Sequence, residues 1–247
     1  MLGLPDAVRG CLFDMDGVLT RTAVVHAGAW KTMFDSFLST WGQRTGQSFA
    51  PFDAGEDYDR YVDGRSRADG TRTFLDSRGI VLPEGEDTDS PDALTVRGLG
   101  NRKNNLVLEA ITRDGVEVYP DSIDYVRAAR GKGLRRAVVS SSANAAQVLE
   151  AAGIGDLFEA LIDGTVAAER HLEGKPSPAL YLAGAEALGL SPGESAVFED
   201  ALAGVEAGRA GDFAAVVGVD RVGQADQLRA HGADLVVSGL GELLERP

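Results

Sequence analysis

The 247-residue chain contains a single cysteine, Cys11, so no disulfide can form within it. Its place in an apolar run points to a buried thiol that acts as a small hydrophobe rather than a nucleophile. Basic residues are also scarce, 24 against 38 acidic ones for a net charge of −14. Such a balance argues against nucleic acid as a partner, because phosphate-backbone binding needs clustered Lys and Arg. It leaves room for a small phosphorylated ligand, which needs only a few local cations or a metal. No apolar run reaches the roughly 18 residues of a membrane span. The N-terminus, with Asp6 and Arg9 around a short apolar stretch, does not read as a signal peptide. A cytoplasmic protein is expected, with no membrane partner and with a monomer favoured over an oligomer.

What is present is ordinary globular material, 44% hydrophobic and 25% charged, with 31 glycines that imply many turns. Val8 to Phe13 reads as an apolar strand ending at Asp14-Met15-Asp16-Gly17. From Thr22 to Leu38 the apolar residues Ala23, Ala27, Trp30, Phe34, Phe37 and Leu38 fall at helical spacing. Residues 41–57 read as a loop, and helical pieces are expected around 57–63, 67–78 and 92–112, with an exposed loop at 83–91. From residue 121 onward helices alternate with apolar strands at 135–139, 160–162, 195–198, 214–218 and 234–237. The helices fall at 121–131, 143–152, 177–188, 201–210 and 224–231. This alternation predicts an α/β fold, a doubly wound, Rossmann-like parallel sheet covered on both faces. Residues 21–115 break the pattern as an inserted helical cap domain, leaving 1–20 and 116–247 as the core.

Doubly wound sheets bind ligands at the carboxyl ends of their strands. Four polar groups lie there: Asp14 with Asp16, Ser140-Ser141-Ser142, Lys175, and Glu199 with Asp200. An isolated Asp-x-Asp is often only a turn with an Asx hydrogen bond. Here an apolar strand feeds it and Gly17 follows, so one carboxylate can attack phosphorus while the other moves a proton. An anion attacking a phosphate needs charge neutralisation, which Mg²⁺ supplies through oxygen ligands such as Glu199 and Asp200. That pair is equally compatible with acidic residues at a helix N-terminus. The serine run reads both as a helix N-cap and as an anion site. Lys175, stiffened by Pro176, is the natural cation for a transferring phosphate.

Phe13-Asp14-Met15-Asp16-Gly17-Val18-Leu19-Thr20, Ser140, Lys175-Pro176 and Glu199-Asp200, in this order, resemble the four motifs of the haloacid dehalogenase superfamily. The resemblance covers almost the whole chain. Thr22-Ala23, His26, Trp30-Lys31, Gly64-Arg65-Ser66-Arg67 and Arg102-Lys103-Asn104 are similar to cap features of its β-phosphoglucomutase-like group. The resemblance implies Asp14 as the phosphorylated nucleophile and Asp16 as general acid/base, with His26 positioning Asp16 as the cap closes. It implies Mg²⁺ held by Asp14, the Asp16 carbonyl and Asp200, with Glu199 beside the metal. Ser140 and Lys175 would hold the transferring phosphate, and Arg67 the distal one with Ser142 and Asn144. Ser141, Thr22, Trp30 and Lys103 would complete the contacts to a small phosphorylated sugar.

The expected activity is interconversion of β-glucose 1-phosphate and glucose 6-phosphate through the 1,6-bisphosphate. The alternative is a phosphatase acting on a sugar phosphate or other small phosphomonoester. On residues alone, Arg67 is as readily a surface partner of Asp63 or Asp69 as a phosphate ligand. Two positions depart from the group's pattern: Ala143 stands where similar mutases carry lysine, and Arg21 where the family has an acidic residue. Residues 79–100 look longer than in a compact cap. His171 and His231 have no supporting company and are assigned no role.

Overall fold

The computed structural model describes residues 2–245. It divides into two compact units, Met1–Thr22 with Val116–Pro247, and Ala23–Gly115.

The first unit is built on six strands: β1 (Gly10–Phe13), β2 (Arg135–Val139), β3 (Ala160–Ile162), β4 (Ser195–Glu199), β5 (Ala215–Val219) and β6 (Leu235–Val237). They form one sheet in the order β3-β2-β1-β4-β5-β6. All five pairings are parallel. Every residue of β1, β4 and β5 is buried, as expected of strands covered on both faces. The expected strand from Val8 begins only at Gly10, where ladder pairing to Arg135 and Ser195 starts. The chain leaves β1 in one direction to reach β2 and β3 and in the other to reach β4 to β6. The switch point therefore lies beside β1. One face packs Leu12, Val139, Ile162, Leu180, Tyr181 and Val197 into a core. On the other face Phe13 stacks on Phe198 at 4.6 Å, with Tyr125 edge-on. Cys11 is fully buried, and burial pushes its thiol up to about 12.

The second unit holds three helices, α1 (Thr22–Thr45, its first residue belonging to the core unit), α2 (Arg67–Ser77) and α3 (Val96–Asp114). Helix α1 runs past Leu38 into the stretch read as a loop, because Trp41 stacks on Phe37 at 5.6 Å and extends the apolar stripe by a turn. A single π-helical turn spans Tyr58–Val62. Helix α3 starts at Val96 rather than 92 because Thr95 caps it, accepting from Gly98 N. Trp30, Phe34, Phe52, Phe74 and Leu99 form the core of this unit. The segment 83–95 is pinned rather than loose. Glu84 pairs with Arg72 and Arg97, and the Asn101 amide donates to the carbonyls of Asp87 and Asp89.

The remaining helices, α4 (Pro120–Gly131), α5 (Ala145–Ala151), α6 (Gly164–Arg170), α7 (Ala179–Ala187), α8 (Leu202–Ala210), α9 (Ala225–Ala230) and α10 (Gly241–Glu245), belong to the core unit. The sequence pattern gives no sign of helix α6 because none of its side chains is fully buried and only Val166 and Ala167 pack partly against the core.

Candidate active site

Parallel register places the chemistry. Phe13 pairs with Val138 on one side and Phe198 on the other. Asp14 therefore emerges at the strand tips between the ends of β2 and β4, its N–H donating to Phe198 O at 2.9 Å. Lys175 reaches the same point from the segment before α7, through a cis Lys175–Pro176 peptide. Its ammonium, fully buried, lies 2.5 Å from Asp14 Oδ1 and 2.5 Å from Glu199 Oε1, and donates to Val139 O. Burial alone would lower the lysine's pKa, but the two carboxylates outweigh it and raise it above the usual range. Burial raises Asp14 well above the ordinary carboxylate value; Lys175 pulls it back, and Glu199 and Asp16 push it further up.

Asp16 lies on the loop after β1, where Gly17 takes φ +89°. A Cβ on Gly17 would overlap the Asp200 carboxylate, so the backbone approach requires glycine. The loop closes by Gly17 N donating to Thr20 O and Thr20 N to Met15 O. The Thr22 hydroxyl is buried and donates to Asp16 Oδ1 while bonding Thr20 Oγ1 at 2.6 Å, so it restrains the Asp16 carboxylate.

The sequence reading missed two residues. Arg221 Nε donates to Gly17 O at 3.0 Å and its Nη2 to Val18 O and Ser122 Oγ, clamping the Asp16 loop from behind β5. Tyr181, on α7, donates its buried hydroxyl to Glu199 Oε1 at 2.8 Å. Burial and then the neighbouring carboxylates push that phenol well above its usual pKa. Arg221 lies away from the motifs in sequence, and Tyr181, six residues after Lys175, reads as core because it sits in an apolar helix.

Ser140 is buried, and its hydroxyl accepts from Ser142 N at 3.1 Å. Ser142 Oγ accepts from Asn144 N at 3.2 Å, so the run forms successive hydroxyl-closed turns ahead of α5. Oxygen atoms of Asp14, Glu199 and Asp200 lie within 4.8 Å of one another, all three residues being buried. Three clustered hard carboxylates beside the single ammonium of Lys175 fit a small divalent cation. Asp200 is further fixed by Gln224 Nε2, which donates to its carbonyl at 3.0 Å.

In the second unit, Lys103 is buried, its Nζ 2.8 Å from His26 Nδ1 and 4.9 Å from the Trp30 ring centroid. Trp30 itself, 3% exposed, stacks on Phe34 within the core. Arg67 is in no ion pair among the described residues, and Nη1 has only a 3.5 Å contact to Gly100 O. Asp69, with Asp63 one of the two expected alternative partners, pairs with Arg72 instead. Arg102 is spent on Pro91 O and Asp92.

A parallel sheet in this order, with an acidic pair, a hydroxyl, a lysine and a second acidic pair at its strand tips, defines a phosphotransferase or phosphatase of the haloacid dehalogenase type. The chain matches the haloacid dehalogenase-like hydrolase family over residues 8–212 and belongs to it. It is 52% identical over 247 residues to a β-phosphoglucomutase of Mycobacterium tuberculosis (strain CDC 1551 / Oshkosh), covering 99% of this chain and 94% of that protein. A β-phosphoglucomutase of Bacillus subtilis (strain 168) is 30% identical over 239 residues, covering 96% and 92%. Among solved structures, β-phosphoglucomutase from Clostridium difficile has the same fold, with a TM-score of 0.72 at 24% identity over 96% of this chain and 93% of that one. The chain is thus a β-phosphoglucomutase-like enzyme of this family. Among the described residues no helix is long and apolar enough to cross a membrane.

Proposed function

We propose that the chain interconverts β-glucose 1-phosphate and glucose 6-phosphate through glucose 1,6-bisphosphate, using Asp14 as a phosphoryl carrier. A phosphatase and a mutase share the chemistry at Asp14 and differ in whether a second phosphate is also bound. The observation that supports the mutase reading is Arg67, a half-buried guanidinium in no ion pair among the described residues, although the Asp87 carboxylate acts on it. Its fork geometry suits a phosphate. Ser142 and Asn144 are proposed to share that phosphate. Ala143 supplies no cation there, and Arg102 is already bound to Pro91. Arg67 therefore carries more of the discrimination.

In the forward direction phosphorylated Asp14 meets the sugar's 6-hydroxyl. Asp16 takes the hydroxyl proton as the oxygen bonds phosphorus and the bond to Asp14 breaks. The bisphosphate then turns end for end. Asp14 attacks the 1-phosphate, and Asp16 returns its proton to the departing anomeric oxygen, releasing glucose 6-phosphate. Lys175 and Ser140 hold the oxygens of the transferring group, and Thr22 holds Asp16 in position. His26 and Lys103 are proposed to contact Asp16 and the sugar phosphate. Mg²⁺, held by Asp14, Asp200 and the Asp16 carbonyl with Glu199 beside it, would neutralise charge on the phosphoryl oxygens.

The test is product partition. With β-glucose 1-phosphate, Mg²⁺ and trace bisphosphate, glucose 6-phosphate should exceed free phosphate. Dominant phosphate release that added bisphosphate does not suppress would instead assign a phosphatase.

A further inference from the structure

We infer that Tyr181 is a positioning residue for phosphoryl transfer, acting through Glu199 to fix the Lys175 ammonium against Asp14. The inference rests on the phosphoryl-transfer reading of this site. Glu199 has little freedom left to act as an open ligand. Its Oε1 accepts from both Lys175, at 2.5 Å, and Tyr181, at 2.8 Å. Its Oε2 accepts from Ala201 N at 3.1 Å. A Cβ on Gly204 would overlap this carboxylate, so the first turn of α8 closes over it. The carboxylate is thus a buried bracket with three donors, and its main duty is to the lysine.

Lysine presents a compact charge on a flexible four-carbon stem, and its direction is set by what surrounds it. Asp14 and Glu199 hold the ammonium from two sides, and the Tyr181 ring lies 4.9 Å from it. During transfer, the Asp14 carboxylate becomes an acyl phosphate and loses part of its claim on that cation. Glu199 is then the fixed anchor, and Tyr181 stops its carboxylate from rotating after Lys175. The phenol ring is locked in turn, edge-on to Phe213 at 6.1 Å in the fully buried core.

Tyr181→Phe retains the ring and removes only the donor. It should lower kcat about tenfold with KM changed less than about threefold, because the lost restraint matters most as charge moves onto the phosphoryl group. In a Glu199→Gln background the same substitution should add less than about twofold, as residues acting in one chain are non-additive. The chain has only four lysines, Lys31, Lys103, Lys132 and Lys175, so their side-chain ¹⁵N resonances can be assigned by single substitutions. The Lys175 ammonium signal, protected from solvent exchange in the parent, should exchange faster in Tyr181→Phe even without substrate. Thermal unfolding of the variant is followed alongside. Parent-like kcat and an unchanged Lys175 signal, or full additivity with Glu199→Gln, would overturn the inference. If the parent protein transfers no phosphoryl group, the functional reading fails instead, and the lysine exchange measurement still decides whether Tyr181 holds Lys175.

Discussion

The Thr22 hydroxyl donates to the Asp16 carboxylate and is itself hydrogen-bonded to Thr20 Oγ1 at 2.6 Å. This restrains the Asp16 carboxylate, which is proposed to act as the acid/base. Thr22→Val, which keeps shape and removes the donor, should reduce kcat about tenfold, a loss of ~1.4 kcal/mol of transition-state stabilisation. KM should barely move. Steady-state kinetics on a phosphorylated sugar measure both, and an unchanged kcat would remove Thr22 from the mechanism.

Arg67 is proposed to separate the two outcomes available to an aspartyl-phosphate. Arg67→Ala should cut glucose 6-phosphate formation ten- to a hundredfold, the equivalent of ~1.5–3 kcal/mol for hydrogen bonds to a charged group. Phosphate release from a small phosphomonoester, which needs no second phosphate site, should change less than about threefold. Coupled assays for the two products, run on the same preparation, provide the comparison.

Much of this organisation was legible beforehand, and the reasons are physical. Strands buried on both faces leave continuous apolar runs, so β1, β2, β4 and β5 stood out, and the polar residues at their ends could be lined up before any coordinates. The insertion was visible because helical spacing replaced the strand–helix alternation after Thr20. Features that depend on distant residues were not legible. Arg221 and the Gly17 carbonyl it holds are 204 residues apart. Nothing in the sequence at Tyr181 separates a core aromatic from a donor to Glu199. The motif at Trp30 likewise says nothing of its packing with Phe34 and Phe74 in the core of the second unit. Helix α1 was cut short because the polar residues 42–45 hide the apolar contact of Trp41.

Cys11 provides a probe of the core that is independent of catalysis. Burial raises its thiol to about 12, with Arg136 pulling it slightly back. Because the folded value lies above the unfolded one near 8.5, this group's contribution is fully present below that pH. It is lost as pH rises toward about 12, at ~1.4 kcal/mol per pH unit. Denaturant unfolding at successive pH values should therefore show a shallower alkaline decline in Cys11→Ala than in the parent. The native thiol should also stay unreactive toward a disulfide reagent at pH 8 and react after unfolding in guanidinium.

The central claim is that phosphate passes through Asp14. Intact and peptide mass spectrometry, after brief exposure to glucose 1,6-bisphosphate and Mg²⁺ and an acid quench, tests it directly. The parent protein should gain one phosphoryl group on the peptide bearing Asp14, removable with hydroxylamine, and Asp14→Asn should gain none and show no turnover. A phosphoryl group on another residue, or turnover that survives Asp14→Asn, would contradict the account.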